Sequence, residues 1–138
     1  MCSSSPRAQT PLPVHPSSAR LARRFLDEHW CHDHAGTALA AAQVVVSELV
    51  TNAVRHGGPP IALALDCDAG DGVVLAVSDG GRRLPEQVAA LPDAVGGRGV
   101  HLVQLLSSEW GVRPHDGRGT KTVWSRVPLA QPSARPSA

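Results

Sequence analysis

The spacing of apolar residues predicts two helices in the first half of the chain. After two serines, either of which can act as the N-cap, apolar residues recur at helical spacing over about residues 18–30. A longer apolar stripe over residues 36–56 consists of Leu39, Ala42, Val45, Val46, Leu49 and Ala53. Gly57 and Gly58, followed by two prolines, end this second helix.

The second half of the chain changes to the shorter period of strands. The predicted elements are strands at 61–68 and 72–79, a loop at 79–96, a glycine-rich turn into a helix at about 99–107, and strands at 109–115 and 120–129. Strand–helix–strand units do not alternate along the chain. The order therefore predicts an α+β two-layer sandwich, with a mixed and mainly antiparallel sheet covered on one face by helices.

The ends of the chain differ from its middle in composition. Proline and serine are frequent in residues 1–16 and 130–138, so we predict flexible tails there. The stretch "TPLPV" within the first tail also suits the edge of a sheet. A length of 138 residues leaves room for one domain, at residues 17–129.

Composition narrows the classes of function. Apolar residues make up 42% of the chain, and aromatic residues are scarce, so the core must consist mainly of Val, Leu and Ala. A net charge of +1 argues against nucleic-acid binding through bulk charge. The three cysteines have no paired spacing, so we predict reduced thiols. We expect no apolar segment long enough to cross a membrane, so we predict a cytoplasmic protein. The segment "HWCHDH" is too crowded for a tetrahedral metal site and suits a polar loop.

The second helix carries two polar side chains at the edge of its apolar stripe. Asn52 is the only asparagine in the chain, and Glu48 lies one helical turn before it. At about 100° per residue, both fall on one flank, about 60° and 100° from the stripe centre at Leu49. The pair suits a solvated helix flank. It also suits a cleft in which its oxygens bind Mg²⁺ or act as a base beside a phosphate.

Three later segments combine glycines with candidate binding groups. "AVSDGG" ends a strand at Asp79 and suits either a β-turn or a buried carboxylate that accepts a hydrogen bond from an amino-bearing ring. "VGGRGVHLV" suits a structural turn or a nest of amides that binds phosphate. "GRGTKTVW" suits a hairpin or a loop that brings Thr120 to the same pocket. The P-loop and dinucleotide-binding glycine patterns are both absent from the sequence.

The order of these segments resembles the Bergerat-type ATP-binding domain shared by gyrase, histidine kinases and anti-sigma-factor kinases. The matching order is E-x-x-x-N on a helix, D-G-G after a strand, G-x-G before a helix and G-x-G-T before the last strand. "VVVSELVTNAVRHGGPP" resembles the N box of the anti-sigma-factor serine/threonine kinase-like branch, especially its short actinobacterial regulators. The resemblance covers about residues 18–128.

The resemblance implies a role for each matching residue. Glu48 would act as general base, Asn52 as the Mg²⁺ ligand and Asp79 as acceptor for the adenine amino group. The other implied nucleotide-binding positions are Gly81 and Thr120 near the adenine and the amides of Gly97, Arg98, Gly99 and Val100 at the phosphates. Arg83 replaces the last glycine of the pattern, and the segment between Asp79 and Gly97 is short.

Two hypotheses about function follow from the resemblance, both with ATP and Mg²⁺ as cofactors. The first is a cytoplasmic serine/threonine kinase that phosphorylates an anti-anti-sigma partner and sequesters a sigma factor when that partner is absent. The second is a non-catalytic module that uses nucleotide to set its shape for a protein partner. Neither hypothesis involves direct contact with nucleic acid or a membrane, and either protein can form a homodimer.

Overall fold

A computed structural model describes residues 7–68, 72–81, 95–115 and 120–129. Its elements in chain order are β1 (Ala8–Leu12), α1 (Ser18–His29), α2 (His32–Ala35), a 3₁₀ turn (Gly36–Ala38), α3 (Leu39–His56), β2 (Ile61–Asp68), β3 (Gly72–Asp79), α4 (Val95–Leu106), β4 (Glu109–His115) and β5 (Thr120–Pro128). Helices α1 and α3 and the last four strands lie within three residues of their predicted bounds. Ser17 occupies the N-cap position of α1, without a side-chain cap bond.

The strands form one five-stranded sheet in the order β1-β2-β3-β5-β4. Every neighbouring pair of described strands is antiparallel. The sequence analysis predicted a mixed sheet, and the described strands contain no parallel pair. The predicted α+β architecture, with helices packed on a mainly antiparallel sheet, is confirmed. Strand β3 lies at the centre of the sheet, and its two ends define two different regions of the interior.

Alternate residues of the central strands are buried beneath the helices. Helix α3 covers the middle of the sheet, and α1 and α4 both pack against α3. The buried apolar residues of α3 and the two central hairpin strands are Ala42, Val45, Val46, Leu49, Val50, Ala53, Ile61, Leu63, Leu65, Val73, Leu75 and Val77. As composition predicted, the core is aliphatic. Because side chains alternate along a strand, Asp79 is the last inward-facing residue of β3.

Two element boundaries differ from the prediction. Residues 8–12, inside the predicted tail, form β1, which pairs with β2 at the sheet edge. An edge strand tolerates Pro11, because one side of its backbone has no neighbouring strand. Helix α4 begins at Val95, so the predicted glycine-rich turn lies within its first two turns. Packing of α4 against α3 offsets the low helix propensity of glycine.

The prediction of reduced thiols is wrong for two of the three cysteines. Cys31 and Cys67 are disulfide-bonded, and because Cys2 is the only other cysteine in the chain, the bond joins these two. Cys67 pairs with Val73 in the sheet, six residues and roughly 20 Å along β3 from Asp79. The disulfide therefore ties the connection between α1 and α2 to β2 at the end of the sheet opposite Asp79.

The segment Gly36–His56 is long and apolar enough to cross a membrane by length and composition alone, with a mean hydropathy of 1.4. The sequence analysis predicted no apolar segment of membrane length, so this finding differs from the prediction. Six residues of α3 are buried within the domain, however, and a core helix commonly passes the same test. We therefore assign α3 as the core helix of this fold.

Candidate functional site

Asp79 is a buried carboxylate at the end of β3, with 3% of the residue exposed. Lys121 lies directly opposite it on β5, and its ammonium donates to Oδ1 at 2.9 Å and to Oδ2 at 3.1 Å. The Gly81 amide donates to Oδ1 at 2.7 Å. Because an unpaired buried charge is strongly destabilising, these donors are what allow a carboxylate at this depth.

The loop after α3 packs directly against this carboxylate. A Cβ added to Gly57 would lie 2.5 Å from Asp79 Cγ, and one added to Gly81 would lie 2.6 Å from the Gly57 backbone. The Gly80 amide donates to the Gly58 carbonyl at 2.8 Å and joins the two loops. The Pro59–Pro60 peptide bond that follows is cis. The glycine pairs at 57–58 and 80–81 thus form one contact, which requires the absence of a side chain at Gly57 and Gly81.

Glu48 and Asn52 lie on one flank of α3, as the helical spacing predicted, and both are half-buried. The opposite flank of α3 faces α1, since Ser47 accepts a hydrogen bond from Arg23 and Gln43 donates one to Asp27. Glu48 and Asn52 are turned about 140° away from that flank. Among the described residues, neither side chain makes a hydrogen bond or ion pair.

Helix α3 runs toward the end of the interior that holds Asp79, with Asn52 one helical turn nearer to that end than Glu48. Asn52 precedes Gly57 by five residues, roughly 8 Å along the helix axis, and Gly57 contacts the Asp79 carboxylate. A half-buried carboxylate and carboxamide therefore lie on the helix that leads to a fully buried carboxylate. Oxygen donors of this kind suit Mg²⁺. The residues present thus fit a nucleotide with its metal ion.

The four predicted phosphate-binding amides lie near the start of α4. In an α-helix that includes Val95 and Gly96, the amides of Gly99 and Val100 bond to the carbonyls of those two residues. Of the four predicted amides, that of Gly97 is the one without a partner within such a helix. The predicted nest of four amides is therefore not formed in this conformation. Arg83 and most of the loop at 79–96 lie outside the described residues.

Thr120 is not brought to Asp79. Its hydroxyl shares a hydrogen bond of 2.8 Å with His115 Nδ1, its partner in the β4–β5 register. Side chains alternate along β5, so Thr120 points to the open face of the sheet and Lys121 points to the helices. Lys121 is thus the site residue that sequence reasoning missed. Its alternation with the apolar Val123 and Val127 is the signal that would have placed it inside.

A concave region lies on the open face of the sheet. This groove of about 290 Å³ is lined by Arg7, Arg113, Arg126 and Trp124, among others. It contains none of the residues that the sequence predicted for nucleotide binding. The buried end of β3 is therefore the better candidate site, because it combines the predicted residues with a closely packed polar cluster.

Comparison with known proteins agrees with this geometry. The family described as histidine kinase-like ATPase domain matches residues 12–126. The crystal structure of the RsbU and RsbW domains of Rv1364c from Mycobacterium tuberculosis is similar, with a TM-score of 0.66 and 25% sequence identity. The match covers 92% of this chain and 33% of that chain, so this protein spans about a third of its structural relative. No curated protein sequence matches the chain.

Proposed function

The chain belongs to the histidine kinase-like ATPase domain family, and on this premise we propose that it is an ATP-dependent serine/threonine kinase of the anti-sigma-factor type. Its substrate would be a serine or threonine of an anti-anti-sigma partner. Family membership supports ATP binding. The observation that carries the proposal is that Glu48 and Asn52 share one flank of the helix whose C-terminal end, at Gly57, lies against the buried Asp79 carboxylate.

Each residue has a distinct role in the proposed reaction. Asp79 would accept a hydrogen bond from the adenine amino group and so orient the nucleotide. Glu48 would accept the proton of the attacking substrate hydroxyl, while the oxygen of that hydroxyl forms a bond to the γ-phosphorus of ATP. The bond from that phosphorus to the bridging oxygen of ADP would break at the same time. A carboxylate with no partner among the described residues suits this role, since it needs no prior exchange of hydrogen bonds with them.

Asn52 would hold Mg²⁺ through its amide oxygen. When bound, Mg²⁺ offsets negative charge on the phosphates. Asn52 is half-buried and makes no hydrogen bond within the described ranges, so its carboxamide is available to a ligand. The phosphate amides at the start of α4 would require the first turn of that helix to change conformation.

The partner proteins follow from the same resemblance. One similar structure contains a domain named RsbW, and the order of motifs resembles anti-sigma-factor kinases. We therefore propose an anti-anti-sigma protein as the phosphorylated partner and a sigma factor as the sequestered one, in the cytoplasm. A disulfide in that compartment would exchange with cellular thiols.

The alternative function is a non-catalytic module whose shape depends on bound nucleotide. The start of α4 at Val95 favours it, because the amides of Gly99 and Val100 are committed to the helix. Such a module would bind its partner without transferring phosphate. The same experiment separates the two functions.

The test is a pull-down from native cytosol with and without Mg²⁺-ATP, followed by phosphorylation of the captured protein. We expect Glu48→Ala to retain ATP binding and to lower the rate of phosphate transfer by about 10²–10⁴-fold. Asn52→Ala should weaken Mg²⁺-dependent ATP binding by about tenfold. The matched controls are Glu28→Ala, which removes an exposed carboxylate of α1, and Thr51→Ala, next to Asn52 on α3.

The outcomes distinguish three possibilities. Equal transfer by the wild type and Glu48→Ala would exclude Glu48 as the base. Nucleotide-dependent capture of a partner, without any transfer by the wild type, would favour the non-catalytic module. A wild-type protein that binds no adenine nucleotide would contradict both functions.

A further inference from the structure

Lys121 gives the site a buried donor to which the sequence motifs assign no role. It is the only lysine in the chain, and 5% of the residue is exposed. Its ammonium contacts both oxygens of Asp79, which lies directly opposite in the register of β3 and β5. The backbone on both sides is held in the sheet. The ammonium and the carboxylate are therefore fixed side by side.

Both groups retain hydrogen-bonding capacity after all their described contacts are counted. An ammonium has three donors, and Lys121 directs two of them to Asp79. Oδ1 of Asp79 accepts from Lys121 and Gly81, whereas Oδ2 accepts from Lys121 alone. Oδ2 can accept a further hydrogen bond, and the ammonium can donate one. The pair thus offers a ligand one acceptor beside one donor.

We propose that Lys121 is a specificity-determining residue of the nucleotide site and donates a hydrogen bond to N1 of adenine. Asp79 Oδ2 accepts from the adjacent 6-amino group at the same time. This inference rests on the proposed function, since it assumes that the base of a nucleotide reaches Asp79. It assigns the choice of base to two side chains rather than to Asp79 alone.

The pair discriminates between the two purines by the order of donor and acceptor. Adenine presents a donor at position 6 and an acceptor at N1, which matches Asp79 and Lys121 respectively. Guanine presents an acceptor at O6 and a donor at N1. In the same pose, guanine would set O6 against the carboxylate and its N1–H against the ammonium. Both contacts are repulsive, so the site rejects guanine as well as selecting adenine.

A role in stability alone does not explain why a lysine occupies position 121. A buried ion pair often contributes little net stability compared with apolar residues of similar size, because both charges lose their hydration. The neighbouring inward positions of β5 include Val123 and Val127, which show that apolar side chains are accommodated there. A ligand that uses the remaining donor and acceptor supplies a reason for the charges.

The test compares ATP with 1-deaza-ATP, which lacks the N1 acceptor, by isothermal titration in the presence of Mg²⁺. We expect wild-type protein to bind ATP about tenfold or more tightly than 1-deaza-ATP, the usual loss for a hydrogen bond to a charged group. Lys121→Met should bind both nucleotides equally, near the weaker affinity. Purine riboside triphosphate, which lacks the 6-amino group, should bind weakly to both proteins and serves as the control for Asp79.

Circular dichroism and thermal unfolding will show whether Lys121→Met folds. If it does not, the affinities of the wild type for ATP and 1-deaza-ATP still test the proposal. Equal wild-type affinities for ATP and 1-deaza-ATP would overturn the role of Lys121 and leave the proposed function intact. An unchanged preference for ATP in folded Lys121→Met would do the same. Absence of nucleotide binding by the wild type would overturn both proposals.

Discussion

The two ends of strand β3 are closed in different ways. At one end, Asp79 and Lys121 form a buried ion pair against Gly57, and the polar groups retain capacity for a ligand. At the other, the Cys31–Cys67 disulfide lies beside Val73 and the buried Trp30, whose indole N–H donates to the Ala35 carbonyl at 2.7 Å. We call these the polar end and the disulfide end.

The polar end and the disulfide end differ in what they contribute: the first is suited to nucleotide binding and the second to stability. The disulfide end contains a void of about 10 Å³, at most the size of one water molecule, so it has no room for a nucleotide. Its indole is satisfied within the protein. Among the residues that the structure describes, charged side chains are buried only at the polar end, where desolvation makes them costly unless they are paired. Substitutions at the polar end should therefore impair nucleotide binding, whereas those at the disulfide end should affect stability alone.

The largest expected effect is that of Asp79→Asn. This change leaves the Lys121 ammonium buried without its counter-charge, and we expect a loss of about 3–5 kcal/mol in the free energy of unfolding. Urea denaturation measures this loss. The control is Asp79→Asn/Lys121→Met, which should regain most of the stability because neither charge remains. A single variant within about 0.5 kcal/mol of the wild type would contradict the ion pair at the polar end.

The disulfide end should show a smaller effect, confined to stability. Replacing both cysteines, as Cys31→Ser/Cys67→Ser, should lower the free energy of unfolding by about 2–4 kcal/mol, since the unfolded chain is no longer cross-linked. Affinity for Mg²⁺-ATP should stay within about twofold of the wild type. Alkylation of the non-reduced and reduced wild type, followed by mass spectrometry, checks the bond itself. Modification of both residues without a reductant would contradict it.

The smallest predicted loss of stability is that of Gly57→Ala. The added methyl group would meet the Asp79 carboxylate, and we expect a cost of about 1–3 kcal/mol together with weaker ATP binding. Gly36→Ala is the matched control, because a Cβ at Gly36 would have no neighbour within 4 Å. Thermal unfolding and titration of both variants would sharpen the comparison. Equal effects of the two substitutions would show that the polar end is not closely packed.

Local sequence patterns predicted most of the fold because they act over a few residues. The β2–β3 hairpin consists of two apolar runs around a short turn, and α3 carries an unbroken apolar stripe. The start of α4 was misjudged because glycine was treated as a turn signal, whereas packing against α3 extends the helix. Strand β1 was only partly anticipated because its pairing with β2 spans about fifty residues.

The candidate site was predictable as a set of segments but not as a set of contacts. The spacing of Glu48 and Asn52 on one helix flank, and the position of Asp79 at a strand end, could both be derived locally. The partners of Asp79 could not, because the β3–β5 register decides that Lys121 rather than Thr120 faces inward. The disulfide likewise depends on the topology that brings Cys31 and Cys67 together.

The central claim is that the polar end of β3 holds the base of a nucleotide. Isothermal titration of Mg²⁺-ATP into three folded proteins tests it most directly: the wild type, Asp79→Asn/Lys121→Met and Cys31→Ser/Cys67→Ser. We predict one saturable site per chain for the wild type and the cysteine variant, and no measurable binding to the variant that lacks Asp79 and Lys121. Equal binding by all three proteins, or no binding by the wild type, would contradict the claim.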